Sequence, residues 1–264
     1  MDLQLQDVHV LVTGASGGIG LETARLFLKQ GAKVTAHYNS NLSPLSSLLA
    51  EFGPARVIAA QAELTAESDV ARLFTEASAA LGPVQVAVIN HGIWPTADIL
   101  VAEMSLARWR ATIDTNLTAA FLVAREFLRQ LALAADAVKE KASICFVGST
   151  SGKYGELGHA DYAATKSALM YGFTLSLKNE IVKIAPRGRV NTVAPGWVKT
   201  PMAEEALSDP TIVYRALATT PMKKVAEPWD VATQIVVLSS PVLSGHVTGQ
   251  VLMVEGGMEG ELAT

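Results

Sequence analysis

The sequence predicts a single α/β domain, a doubly wound parallel sheet of seven strands with helices on both faces. Three observations predict it. Seven short runs rich in β-branched residues are spread along the 264 residues, with helix-length segments between most of them. Most of these runs are continuously apolar rather than alternating, as strands are when both faces of a parallel sheet are covered. Alternating strand and helix then forces right-handed crossovers and a layered architecture.

In chain order the strands are read at 9–13, 33–37, 56–60, 85–90, 143–148, 189–193 and 250–256. Helices are expected at 18–30, 67–81, 117–134, 161–184 and 228–239. No shift of composition marks a second domain. The dinucleotide-binding core is placed at about 7–196, and the Pro-punctuated segment 197–227 is read as a lid of short helices, because loops that long are functional or mobile. Residues 133–142, "LAADAVKEKA", are read as an insertion before the fifth strand.

Bulk properties narrow the function. Half of the residues are hydrophobic and only 17% are charged, enough to bury a large core and too apolar for disorder. The net charge is −4 and no lysine or arginine run occurs, which argues against nucleic acid or an anionic membrane as partner. One cysteine, Cys145, excludes an internal disulfide framework, and its apolar run "SICFV" predicts a buried strand position. The N-terminus lacks a signal-peptide pattern and no apolar stretch is long enough to span a bilayer, so a cytoplasmic protein is expected.

The first chemistry lies in "TGASGGIG", residues 13–20, between the first strand and the first helix. Gly14 permits a tight turn, Gly18 lets backbone approach a pyrophosphate, and Gly20 allows close helix–sheet packing. The helix N-terminus offers unpaired N–H donors to phosphate. The spacing is G-x-x-x-G-x-G, and with that spacing the chain resembles the short-chain dehydrogenase/reductases of classical type over nearly its whole length. The resemblance implies a Rossmann-like fold and an NAD(P)-dependent oxidoreductase.

Further motifs fit the resemblance. Tyr162 and Lys166 stand four apart in a helical pattern, which places both on one helix face. A lysine ammonium favours the phenolate of a tyrosine whose free pKa is about 10. Ser149 precedes Tyr162 by thirteen residues at a strand end, and Asn116 lies in "TIDTNLTAAF". The resemblance implies that Tyr162 donates the proton and that Ser149 orients the carbonyl. It gives Lys166 the nicotinamide ribose, and Asn116 a water that extends the relay from Lys166. Around them Thr150 and Ser151 are read as turn residues, Lys153 as solvated, and Thr165 as a helix residue without a catalytic part.

The resemblance also implies cofactor contacts at Gly14, Ser16, Gly18, Ile19, Gly20, Asn90, Gly92, Pro195 and Gly196. The backbone of Val198 and the Thr200 hydroxyl, in "APGWVKTPM", would hold the carboxamide, and pro-S hydride transfer follows. Glu63 and Leu64 would lie beside the adenine. In "INHGI" the family's first asparagine and its alanine are replaced by Ile89 and His91, and His91 is read as structural. At the end of the second strand an NAD site commonly carries an acidic residue. Here Tyr38 stands at that position, followed by Asn39 and Ser40, so NADP(H) is favoured over NAD(H), although no arginine accompanies them.

The expected reaction is reversible reduction of a ketone to a secondary alcohol. An idle NAD(P)-binding sensor and an NAD-dependent alcohol dehydrogenase remain as alternatives, and a sugar epimerase or dehydratase would carry a longer C-terminal domain. Trp94, His159, Trp197, Met202 and Tyr214 are placed near the pocket mouth, where their bulk suggests an uncharged, apolar or aromatic carbonyl compound. Packing of the lid is an equal reading of the same five, and loop packing is the favoured one for His159. The resemblance further implies a homotetramer or homodimer through the helices at 117–134 and 161–184 and the C-terminal strand.

Overall fold

The computed structural model describes residues 2–260. Seven strands form one all-parallel sheet: β1 His9–Val12, β2 Lys33–Tyr38, β3 Val57–Gln61, β4 Val86–Ile89, β5 Ser143–Val147, β6 Arg189–Pro195 and β7 Val251–Val254. Their spatial order is β3-β2-β1-β4-β5-β6-β7. The order reverses between β1 and β4, so the loops leaving these two strands diverge and open a crevice at the carboxyl edge.

Helices fill the crossovers. The first six are α1 Gly18–Lys29, α2 Ser46–Phe52, α3 Glu67–Leu81, α4 Leu106–Ile113, α5 Ala119–Leu133 and α6 Asp136–Lys139. The remainder are α7 Ser151–Tyr154, α8 Ala160–Ser167, α9 Thr174–Ile184, α10 Glu204–Leu207, α11 Pro210–Ala218 and α12 Pro228–Ser239. Two π-helical stretches, Asp114–Thr118 and Ala168–Phe173, join α4 to α5 and α8 to α9 without a break in the helical backbone.

The apolar strands feed two separate cores because successive side chains point to opposite faces. Val10, Val12, Val86, Val88, Cys145 and Val147 pack with α1 and α12 residues such as Phe27 and Ile235. Their neighbours Leu11, Ala87, Ile89, Ile144 and Phe146 pack on the other face with Phe74, Phe127 and Ile181. Cys145 is buried, as expected.

Several elements differ from the sequence reading. The helix expected at 117–134 begins earlier, at Leu106, where Ser105 Oγ accepts from the Arg108 N–H at 3.2 Å. Its face carries Arg108, Trp109 and Arg110 among few buried residues, which hides the amphipathic rhythm. The 133–142 insertion closes into the one-turn helix α6. Segment 197–227 holds α10 and α11, and its two ends are zipped together by Lys199 N–H to Ala226 O and Ala226 N–H to Trp197 O, both 2.9 Å.

Candidate active site

A cavity of about 440 Å³ lies at the carboxyl edge of the sheet, lined from the glycine turn at one end to Ser149, Tyr162 and Trp197 at the other. At the first end the wall is backbone. Gly14 has φ +62°, a left-handed conformation that glycine adopts without strain. A Cβ on Gly20 would fall 2.3 Å from Gly14 O, and one on Gly18 would meet Thr200 Cγ2 at 2.8 Å. Gly20 therefore lies beneath the turn, and Gly18 faces the Pro195–Thr200 loop across the cleft. No side chain caps α1 and its first turn holds no acidic residue, so the N–H groups that a helix start leaves unpaired are free for an anion. A dinucleotide pyrophosphate fits this cradle, which Ser16, Gly18 and Ile19 line.

The turn is held in place by buried polar contacts. Asn90 Nδ2 donates to Thr13 O and Gly14 O at 3.0 and 3.1 Å. The side chain expected to contact ribose is thus committed to the glycine turn. Gly14 N–H donates to His37 Nδ1 at 3.0 Å, and His37 Nε2 meets Ala62 O at 3.0 Å. His91 Nδ1 meets Thr13 Oγ1 at 2.9 Å, in keeping with a structural histidine. Its Nε2 is buried without a partner, and burial first, then His37 and Lys166, push its pKa down to about 3.

Strand parity corrects the reading of the β2 end. His37 and Asn39 line the cavity, whereas Tyr38 and Ser40 do not. Tyr38 points the other way and packs against the core. Asn39 Nδ2 reaches Glu63 Oε2 at 3.4 Å, while Glu63 Oε1 accepts from Thr65 N–H and Oγ1 at 3.1 and 2.9 Å. Leu64, Gly92, Pro195, Gly196, Val198 and Thr200 all lie on the wall, where Lys166 is the only lysine or arginine.

At the other end the wall is made of side chains. Ser149 follows β5, and the 149–152 turn lies against the backbone of α8. A Cβ on Gly152 would come within 2.8 Å of Lys166 C and Ser167 N, which explains the glycine there. Tyr162 stands on the wall with Ser149; burial, followed by the Glu156 carboxylate, holds its phenol above the usual tyrosine value against a smaller downward pull from the Ser149 side chain. Lys166 Nζ donates to Val147 O at 2.8 Å and lies 5.6 Å from the Tyr162 ring centroid. Burial depresses its pKa to about 8.

Asn116 sits in the first π stretch, fully buried. Its Oδ1 accepts from Ile93 N–H at 2.7 Å and its Nδ2 donates to Ile93 O at 2.9 Å. The side chain expected to hold a relay water is instead tied to the loop after β4. It remains close to the lysine, since a Cβ on Gly92 would be 3.1 Å from Asn116 Oδ1 and 3.6 Å from Lys166 Nζ.

Of the five expected substrate neighbours, Trp94, Trp197 and Met202 line the cavity, and His159 and Tyr214 do not. His159 is buried behind Trp94, stacked at 4.7 Å, with Nε2 2.7 Å from Pro95 O. Tyr214 projects from α11 and is 67% exposed. Sequence reasoning missed Glu156, whose carboxylate lines the cavity and accepts from Ser151 Oγ at 2.6 Å and Trp94 Nε1 at 2.9 Å. Ser151 in turn lies 3.1 Å from Ser149 Oγ, so it is more than a turn residue. The carboxylate stood four residues past Gly152 in plain view, but only the fold brings Trp94 to it. Also missed was the buried pair of Arg108 and Asp161, 3.1 Å apart, which anchors the start of α8 beside Tyr162.

A parallel sheet whose crevice joins an uncapped helix start to a Ser–Tyr–Lys wall has the arrangement of a nucleotide-dependent oxidoreductase. Comparison with known proteins fixes the family. Residues 8–211 match the short chain dehydrogenase family, and the chain belongs to it. It is 33% identical over 252 residues to a 3-oxoacyl-(acyl-carrier-protein) reductase of Synechocystis, covering 94% of this chain and 95% of that one. The reductase of the same name from Vibrio cholerae is 34% identical over 259 residues, covering 97% and 99%. Nodulation protein G of a Rhizobium species is 36% identical over 256 residues, covering 97% and 98%. A solved Brucella melitensis short-chain dehydrogenase/reductase, titled a glucose/ribitol dehydrogenase, superposes with TM-score 0.85 at 32% identity over 97% of this chain and 98% of that one. The protein is an oxidoreductase with a Rossmann-like fold. Among the described residues no helix is long and apolar enough to cross a membrane, and no cluster of three metal-ligating side chains occurs.

Proposed function

We propose that the chain catalyses the reversible, NADPH-preferring reduction of a ketone to a secondary alcohol. Ser149 and Tyr162, together on the wall at the opposite end of the cavity from the phosphate cradle, carry this reading. A bound nicotinamide supplies the hydride. Ser149 Oγ and the Tyr162 hydroxyl receive the carbonyl oxygen, and Tyr162 delivers its proton as negative charge develops there. A phenol held protonated by burial is well suited to donate. Lys166, its pKa lowered by burial to about 8, stands beside it to return one, and Asn116 fixes the floor at Ile93 next to that lysine. Positioning and electrostatics are the protein's contribution. Relatives named as 3-oxoacyl reductases support reduction of a carbonyl over an idle binding role.

The NADPH preference rests on the β2 end, where no carboxylate replaces the expected acidic residue and Asn39 offers an amide. Dissociation constants for NADPH and NADH measure it, and tenfold tighter NADH would overturn it. Assembly through the helices at 119–133 and 160–184 belongs to the same reading, supported by exposed Phe121, Tyr171, Leu175 and Val182. The reaction itself is tested by following NADPH oxidation across a panel of ketones, with Tyr162→Phe as control. NADPH binding without turnover of any ketone would leave a sensor in its place.

A further inference from the structure

The ketone end of the cavity contains a charge that reduction of a neutral carbonyl does not need. Glu156 lines the cavity, and its side chain is only 13% exposed. Each of its oxygens takes one protein hydrogen bond, from Ser151 Oγ and Trp94 Nε1. A carboxylate has capacity for about four, so acceptor sites remain. Among the described residues no lysine or arginine comes within ion-pair distance of it. Its one cationisable neighbour is His159, whose Nδ1 is 3.6 Å from Glu156 Oε1 and 3.5 Å from Asp98 Oδ1. One imidazole shared between two carboxylates cannot compensate both. Partly buried carboxylates without a counter-ion are costly, and a ligand cation relieves that cost.

The surroundings suit a cation as well. Trp94 and Trp197 stand edge to face with centroids 6.0 Å apart, and both line the cavity beside Glu156. Indole faces attract ammonium groups, and desolvation strengthens the attraction. Ser151 links the carboxylate to Ser149 through contacts of 2.6 and 3.1 Å, which sets how far a bound cation stands from the reacting carbonyl.

We propose that the substrate is a compact ketone bearing a protonated amine a few bonds from its carbonyl, with the ammonium held by Glu156 beside Trp94 and Trp197. This rests on the carbonyl-reducing reading above and replaces the uncharged substrate that residue bulk alone suggested. It also implies coupling. The Glu156 charge helps hold the Tyr162 phenol above its ordinary value, and a substrate ammonium on Glu156 offsets that influence where the proton is transferred.

The test uses three ketones of similar size and different charge with the NADPH-loaded protein at neutral pH: N-methyl-4-piperidone, 4-methylcyclohexanone and 4-oxocyclohexanecarboxylate. The expected order of kcat/KM is cation, neutral, anion, with a cation-to-neutral ratio of about tenfold or more. Glu156→Gln should collapse that ratio to near unity whatever it does to the common level, and Glu156→Asp should restore part of it. Equal kcat/KM for the cationic and neutral ketones, or a ratio that survives Glu156→Gln, overturns the proposal while leaving ketone reduction intact. If none of the three turns over, ketone reduction is what fails. The charge preference is then read from quenching of tryptophan fluorescence by the same compounds, where equal affinity for cation and neutral overturns it.

Discussion

At the phosphate end of the cavity, glycines and helix N–H groups form the wall, and the Asn90 and His37 side chains there are tied to backbone. At the carbonyl end, Ser149, Ser151, Glu156, Tyr162, Trp94 and Trp197 form the wall, and a chain of side-chain hydrogen bonds runs from Ser149 through Ser151 and Glu156 to Trp94. The first end serves any nucleotide with a pyrophosphate, because main chain has no identity to change. The second can be retuned residue by residue, because side chains make it. The same contrast sorts mutations. Changes at the carbonyl end should alter chemistry without harming the fold, and changes at the phosphate end should do the reverse.

Tyr162→Phe is the sharpest case. It should lower kcat by roughly 10²–10⁴-fold, the range for losing a positioned acid, while NADPH affinity stays within a few-fold. Fluorescence titration alongside kinetics checks both halves, and a parallel loss of cofactor affinity would break the contrast. Gly20→Ala should show the opposite pattern. Its Cβ has no room beside Gly14 O at 2.3 Å and Ala15 Cα at 2.9 Å, so about 2–4 kcal/mol of stability should go, together with NADPH binding. Chemical denaturation with and without cofactor measures this.

A third prediction concerns acid. His9, His37 and His91 are held below their usual pKa chiefly by burial, His9 at about 4 and His91 at about 3. As pH falls below about 6.5, the unfolded chain takes up protons that these folded imidazoles refuse. Their contribution is therefore intact above that pH and is lost progressively down to the folded values. Melting temperatures should fall steadily from pH about 7 to about 4. A flat profile would show that these buried histidines do not support the fold. The smallest effect is expected at Tyr154→Phe, which removes a 2.7 Å bond to Met258 O outside both ends of the cavity. About 1 kcal/mol of stability should be lost with kcat unchanged.

The sheet and the phosphate end were legible in sequence because they obey local rules. Strands buried on both faces read as apolar runs, and the glycine turn follows β1 directly. The carbonyl end was legible where helix periodicity carried it, in Tyr162 and Lys166, where resemblance gave Ser149, and where bulk pointed to Trp94, Trp197 and Met202. Glu156 was not readable because Trp94, which bonds it, lies 62 residues away in sequence. His159 went behind the wall rather than into it because that same tryptophan covers its ring. Tyr38 was misplaced by counting position without strand parity, which gives the cleft to His37 and Asn39. Asn116 was found by motif, but its bonds to Ile93 depend on the path of a loop that motif does not describe.

The π stretches at Asp114–Thr118 and Ala168–Phe173 act as phase shifters. Each holds one residue more than regular winding requires, which turns everything on one side by about 100° relative to the other. The rod that carries Tyr162 and Lys166 can therefore aim them at the cleft while its far half keeps its own packing rhythm against β6. A single-residue deletion inside either stretch would leave every side chain chemically intact and rotate the Asn116 or Tyr162–Lys166 half away from its target. At these two points the count of residues, more than their identity, sets where the site points.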